Sequence, residues 1–478
     1  MNRRIIAAAL GFVLIGGCAV TPTYVQPTPA TPEQWSVPIP GTGSAADANL
    51  SQWWKQFNDP VLAKLVERAL KDNRDVRIAT ARIAEARALQ RQADARLRPN
   101  VSASGSVARD RASENNRFPL RDIPNPVDLY QAGFDASWEM DLFGGLQSAR
   151  GAAAAETQRV IFDREALAVS TSAEVAVAYL HLRGAQARIT SLDEQILVAR
   201  DTIQLVESRV RAGLVSELDR VRAHETLSSL EARRPPLRAT ADVETRRLGV
   251  LVGMQADALV RELAPRGVLP DVVPKLPATV PAQLLAQRAD LRSIERALAA
   301  EYARIGIAEA DRYPRLALGL SLGLLSLSTG TLASPASALW NAGANFTAPI
   351  YDGGARRAQV ALAQARYEQA AIRYEQAAAT AAEEVESGAL RYQYERERRE
   401  KLVAVVRANE DARNLALVRY QGGLGDFLAV LDAQRQLFNA QDDELSSREQ
   451  SLSHLVSLYK ALGGGFCPNQ CDKILSVQ

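Results

Sequence analysis

The chain has 478 residues, 47% hydrophobic, 23% charged and only 6% aromatic, with 57 Lys and Arg against 55 Asp and Glu for a formal net charge of +2. Length alone suggests about three globular domains, but 10 Phe, 5 Trp, 3 Met and 3 His are sparse material for three large cores. The charge balance advertises no polyanion partner, and a mean hydropathy of -0.14, with no 18-residue apolar run in the body of the chain, excludes a polytopic helical membrane protein.

Arg3 and Arg4 precede an apolar run from Ile5 to Ile15, which leads through Gly16 and Gly17 to Cys18. The run is too short to act as a spanning anchor and reads as a secretory signal over residues 1–17. Small residues before a Cys resemble the lipobox of bacterial lipoproteins, which predicts acylation of the Cys18 thiol at the mature N-terminus. An ordinary signal peptide with a chance Cys is the alternative. Ala19, rather than Asp, follows Cys18, and by the same resemblance favours sorting to the outer membrane. Without Arg3 and Arg4 the formal charge falls to zero.

Residues 18–59 are expected to be an extended N-terminal segment. From Pro60 to Arg98 apolar residues at Leu62, Leu65, Val66 and Leu70 recur at helical spacings. Strands are expected over about 100–110 and 129–142. In the second of these Tyr130, Ala132, Phe134, Ala136, Trp138, Met140 and Leu142 alternate with Gln131, Gly133, Asp135, Ser137, Glu139 and Asp141, giving one apolar and one polar face. Residues 145–212 hold no proline and read as one helix of about 100 Å. Its Ile189, Leu192, Ile196, Ala199, Ile203 and Val206 fall near a heptad spacing. Gly213 turns the chain into a returning helix over 214–253, where Pro235-Pro236 predicts a kink or short break. Residues 256–280 are rich in proline and read as an extended linker.

The pattern then starts again. Gly213 and Gly423 lie 210 positions apart in similar turns, Ala223 pairs with Ala433 at that spacing, and Leu251-Val252-Gly253 pairs with Ala461-Leu462-Gly463. This is an internal duplication, with repeat one over 60–255 and repeat two over 281–463. Repeat two has strands expected at about 315–326 and 338–350 and helices over 354–421 and 424–462. Residues 464–478 form a tail in which Cys467 and Cys471 suit a local disulfide in an oxidising compartment. A metal site is disfavoured there, with two thiols and no nearby His.

Four strands with one apolar face also fit a soluble sandwich. Against that, the apolar faces have no evident covering element, and tilted membrane strands need about ten residues of such alternation. Open sheet edges are not tolerated in a bilayer, so several copies must close the sheet. No enzyme is expected. Gly319-Leu320-Ser321-Leu322-Gly323 fits a hydrolase elbow but lies within a strand pattern, and His224-Glu225 lacks the second His of a zinc helix. No metal or other cofactor is expected.

The chain resembles the outer-membrane factors, the TolC-like channels of tripartite efflux systems, in their lipoprotein branch. The matching stretches are Trp53-Trp54-Lys55-Gln56-Phe57-Asn58-Asp59-Pro60, Trp138-Glu139-Met140-Asp141-Leu142-Phe143-Gly144, Ala286-Gln287-Arg288-Ala289-Asp290-Leu291, Pro349-Ile350-Tyr351-Asp352-Gly353-Gly354 and Tyr459-Lys460-Ala461-Leu462-Gly463-Gly464-Gly465-Phe466. The resemblance implies an α+β membrane protein: a homotrimer whose 12-stranded β-barrel, four strands per chain, continues into a helical periplasmic coiled-coil barrel. It implies as partners a periplasmic adaptor and an inner-membrane resistance-nodulation-division transporter, and efflux of small molecules from a Gram-negative cell. A type I protein secretion channel is the alternative. By position, Asp432 matches the family's ring of acids at the constriction, Tyr420 the tying Tyr, and Asp219 its acceptor, with the helix-tip turns at Gly213 and Gly423. Gly425 stands where the family has a tying Arg, and Asp426 adds an acid near the mouth.

Overall fold

The computed structural model describes residues 24–27, 34–39, 50–113, 115, 125–272, 276 and 288–464. The signal segment, Cys18, Cys467 and Cys471 lie outside the described residues. A short 3-10 helix over Leu50–Phe57 leads into α1 (Pro60–Asp72), α2 (Arg74–Ala95), β1 (Asn100–Asp110), β2 (Val127–Met140), α3 (Gly145–Arg211), α4 (Glu217–Leu251) and α5 (Ala256–Leu263). Then come α6 (Ala289–Ala310), β3 (Arg315–Ser326), β4 (Ala338–Thr347), α7 (Ala355–Gln421) and α8 (Phe427–Ala461).

Helix lengths repeat between the halves. Both α3 and α7 have 67 residues, and both α4 and α8 have 35. At about 1.5 Å per residue the longer pair each run about 100 Å. The positive-φ glycines repeat as well, with Gly213 and Gly423 at +71° and +70°, and Gly253 and Gly463 at +70° and +77°. A side chain disfavours that left-handed backbone, so glycine sets each turn.

Two compact units are distinct. The first is built mainly from Arg82–Val160 and Ile294–Tyr374 and the second mainly from Ile161–Ser293 and Glu375 onward, with Pro29–Ala81. In the first, the strands form one antiparallel sheet in the order β1-β2-β3-β4. The hairpins of the two repeats are therefore joined, through the β2–β3 ladder from Tyr130↔Ser326 to Met140↔Leu316.

The second unit has a substantial core despite the thin supply of aromatics. Trp53 stacks on Tyr459 with centroids 5.3 Å apart, and Phe57, Leu62, Leu65, Tyr179, Leu248 and Leu455 are buried around them. The helix expected over 60–98 divides at Asn73. There the side chain accepts from the Asp75 and Val76 amides, capping α2, while its amide donates to the Leu251 carbonyl. A local cap and a buried tertiary bond together outweigh one lost helical turn.

The segment 256–280 differs from an extended linker. It contains α5, and Leu259, Leu263, Leu269 and Leu276 join the core. Arg183, buried on α3, donates to the Pro265 carbonyl and to the hydroxyl of Tyr179, which in turn donates to Asp59. Helix α4 runs unbroken through Pro235-Pro236. The Glu231 and Ala232 carbonyls that lose helical donors there belong to exposed residues, where water can serve them.

One carboxyl in this unit is set for a pH response. Burial pushes Glu449 up to about 7, with the Glu244 charge adding and Arg188 opposing. His181 Nδ1 lies 3.2 Å away, and Gly184 leaves room for the Glu449 side chain where any Cβ would collide with it. Protonated Glu449 contributes stability that is complete below about pH 4.5 and lost as pH rises through about 7. Glu449→Gln should therefore flatten the pH dependence of thermal unfolding in that window and raise stability above it, by at most about 3 kcal/mol. A wild-type slope in unfolding of the detergent-solubilised variant would count against the assignment.

Candidate functional site

The sheet separates chemistry by face. Its register sets Val101, Ala103 and Val107 of β1 beside the even-numbered residues of β2. Those lie beside Leu316, Leu318, Leu320, Leu322 and Leu324 of β3, and these beside Trp340 and Phe346 of β4. Apart from Arg109, Asp128 and Ser326 at one end this face is apolar, yet Val107 is 75% exposed, Trp340 75% and Phe346 64%. Water is a poor solvent for such a face, and hydrocarbon is a good one.

The opposite face carries Ser102, Ser104 and Ser106, then Gln131, Asp135 and Glu139, then Ser321, Asn341 and Asn345. Ser104 donates to the Asp135 carboxylate at 3.1 Å. Glycines at 133, 319, 323 and 343 share this face. A Cβ on Gly133 would stand 2.7 Å from the Leu322 carbonyl oxygen, and one on Gly323 2.8 Å from that of Ala132. Bare glycines in facing strands mark a bend too tight for side chains, as at a barrel wall. Among the described residues β1 and β4 each pair on one side only, so the sheet keeps two open edges.

Each strand-to-helix turn is capped by an Asp. Asp141 accepts from the Leu146 and Gln147 amides ahead of α3. Asp352 accepts from Gly354 and Arg356 ahead of α7, and those amides hold its carboxyl below the usual carboxylate range.

In the second unit the two helical hairpins turn alike. Gly213 donates to the Val210 carbonyl and Leu214 to Arg209; Gly423 donates to Tyr420 and Leu424 to Arg419. Asp426 caps α8 by accepting from the Ala429 amide at 2.8 Å. Asp219 forms a capping box with Ser216 at the start of α4, accepting from its amide and hydroxyl. Asp432 is half-exposed and accepts from Arg435, one turn on, at 2.9 Å.

The structure does not tie Tyr420 to Asp219. The Tyr420 hydroxyl is buried without a hydrogen-bond partner among the described residues, and burial pushes it upward, with the Arg209 charge opposing. Asp219 is satisfied locally, because a capping box serves two otherwise orphaned groups at once. Farther from the turns the hairpins are joined by Arg188 to Asp442 and Gln434 to Thr202, and at the tips Arg209 joins them. Its guanidinium lies 4.4 Å from the Tyr420 ring centroid and donates to the Tyr420 and Gln421 carbonyls, at 2.9 Å each. Ile203, Val206, Tyr420, Phe427, Val430 and Leu431 pack beneath it.

A sequence model of a family described as "Outer membrane efflux protein" matches residues 65–253 and again 280–464. The chain belongs to this family. It is similar to the pyoverdine export outer membrane protein OpmQ of Pseudomonas aeruginosa, 32% identical over 97% of each chain. The toluene efflux pump outer membrane protein TtgI of Pseudomonas putida is 30% identical over 96% of this chain and 97% of its own. Among solved structures the outer-membrane channel OprN superposes with a TM-score of 0.84 at 33% identity, covering 94% of this chain and 99% of its own.

In this outer membrane efflux protein, Ser321 lies mid-strand, opposite Asp135 and Asn341, and not at an elbow. Among the described residues no cluster of three His, Cys, Asp or Glu could hold a metal, and no helix is long and apolar enough to cross a membrane. Sequence reasoning missed Arg209, whose acceptors are backbone carbonyls. The signal that could have found it is the duplication, since Arg419 occupies the same place in the second repeat.

Proposed function

We propose that the chain is the outer-membrane exit channel of a tripartite efflux pump, receiving small molecules from an inner-membrane transporter of the resistance-nodulation-division class through a periplasmic adaptor. The observation that carries this reading is the four-stranded sheet, apolar on one face, polar and glycine-bearing on the other, with two unpaired edges. Membrane strands cannot leave edges open, and about eight strands is the smallest closed barrel, so four strands require further copies. Three copies give twelve strands, the trimer that the family resemblance implies. Cys18 carries the lipid that anchors the mature chain. Relatives named for pyoverdine export and toluene efflux differ in cargo, which supports a channel that leaves selection to its pump.

The proposed gate lies at the helical tips. Three copies of Asp432 give a ring of negative potential that favours cations and repels anions, with Asp426 as a further acid. Because Arg435 neutralises part of each Asp432, the two residues should act oppositely. Asp432→Ala is expected to weaken block by multivalent cations about tenfold in planar bilayers, and Arg435→Ala to strengthen it. Unchanged ion selectivity in both variants would remove Asp432 from the gate. No discrete conductance from the purified protein, either as wild type or with its tips loosened by Arg209→Ala, would overturn the channel reading itself.

A further inference from the structure

Where the sheet gives way to helices, the first unit holds a cavity of about 770 Å³, within the range of roughly 300–1,000 Å³ that suits a small ligand. Met140, the last residue of the apolar row on β2, lines it with Phe143 and Ile307. Arg96, Arg98 and Glu139 supply charge beside them.

The two arginines occupy the exit of α2. The amides of residues 96, 97 and 98 each donate to the carbonyl three positions back, at 3.2, 3.2 and 3.1 Å, and Pro99 then ends the turn. Their backbone is thereby fixed, yet both side chains are exposed. Among the described residues neither has a hydrogen bond or an ion pair. The acids around them are engaged elsewhere. Asp94 pairs with Arg150 and Asp311 with Arg315, while Asp141 accepts from two amides of α3. Of the acids that line the cavity, Glu139 is the one without a partner among the described residues, so two free cations face one free anion.

Trp138 sets their depth. Its ring lies in the apolar row, opposite Leu318, and its indole N–H donates at 3.1 Å to the carbonyl of Leu97, the residue between the two arginines. An aromatic ring with an apolar body and one polar group settles at the boundary of hydrocarbon and water. Phe143 and Tyr313, stacked with centroids 4.7 Å apart, add two more rings at the same junction. The indole bond therefore holds Arg96 and Arg98 at the level where lipid phosphates lie.

We propose that Arg96 and Arg98 bind the phosphate of an anionic glycerophospholipid, with its headgroup in this cavity and its acyl chains along the apolar row that ends at Met140. The proposal rests on the channel reading above, which puts that row in hydrocarbon. A guanidinium fork matches two phosphate oxygens, and a bound headgroup pins the joint between α2 and β1 at the membrane surface.

Lipid titration tests the site apart from conduction. Wild-type protein in detergent is titrated with phosphatidylglycerol or with phosphatidylcholine, and native mass spectra count the lipids retained. Phosphatidylglycerol should be preferred. Arg96→Gln and Arg98→Gln together should weaken its binding about thirtyfold, at about fivefold for each basic residue near the headgroups. Arg407→Gln, the same loss of charge on the second unit, should bind like the wild type. Equal retention of the two lipids by the wild type would overturn the site, and this comparison needs no variant to fold. Equal binding of phosphatidylglycerol by the wild type and a folded double variant would overturn it as well. If inorganic phosphate at matched concentration displaced the lipid and raised the unfolding temperature as much, the site would be one for a free anion and the lipid assignment would fall. Loss of lipid preference in protein that still conducts would count against the site alone, whereas the absence of any discrete conductance would count against the channel reading.

Discussion

Arg209→Ala should make the resting channel leak. The substitution removes two hydrogen bonds from a guanidinium to carbonyls and the stacking over Tyr420. Hydrogen bonds to charged groups contribute about 1.5–3 kcal/mol each when well shielded, and a cation–π contact adds about 0.5–1 kcal/mol at a partly exposed site. Arg209 is only half-buried, so a total on the order of 2 kcal/mol is reasonable, which shifts the ratio of open to closed tips about thirtyfold. Single-channel recording should show frequent openings where the wild type is quiet. Two companions sharpen the test. Tyr420→Phe should leave conductance unchanged, because the hydroxyl it removes has no partner. Asp219→Ala should cost about 1 kcal/mol of stability through loss of the α4 cap without opening the tips. A leaky Tyr420→Phe together with a quiet Arg209→Ala would restore the tyrosine as the tie.

The contrast between those residues also says what the sequence made legible. Periodic features were readable, because a strand in a bilayer must alternate and a long helix must exclude proline. The apolar face from Tyr130 to Met140 and the proline-free run ending at Gly213 each show in a window of a dozen residues or more. Features that depend on one partner far away were not. Asn73 divides a helical pattern because it finds the Leu251 carbonyl 178 positions on, and no local signal announces that. Leu259 and Leu263 look like linker residues until the core that receives them exists. The join of β2 to β3 is hidden for the same reason, since alternation tells which face a residue occupies but not which strand lies beside it. Arg209 is one of 57 basic residues, and its acceptors are backbone atoms, which leave no mark on a sequence.

The β2–β3 join is also where a single atom group should do the most damage, and Gly323→Val is expected to abolish assembly of the proposed barrel. Gly323 and Gly133 face each other in register. A Cβ at 323 would meet the Ala132 carbonyl oxygen at 2.8 Å and the Gly133 Cα at 3.2 Å. Both neighbours are backbone, so no side chain can rotate away, and relief requires the two strands to part. Overpacking in a well-packed site costs about 1–3 kcal/mol even when neighbours can shift. Here the parting strands would also expose unpaired N–H and C=O groups at the depth where water is absent, at several kcal/mol per group. Because β2–β3 is the ladder joining the strands of the two repeats, its loss splits the sheet into two-stranded hairpins, which are marginal alone. Outer-membrane levels of heat-modifiable oligomer should fall to background for Gly323→Val and for Gly133→Val. Gly319→Ala, on the same face with nothing within 4 Å of its Cβ, should assemble like the wild type. The comparison isolates the close backbone approach from the mere loss of a glycine: if Gly319→Ala failed as completely as Gly323→Val, the bend would be a property of the whole face rather than of the facing pair.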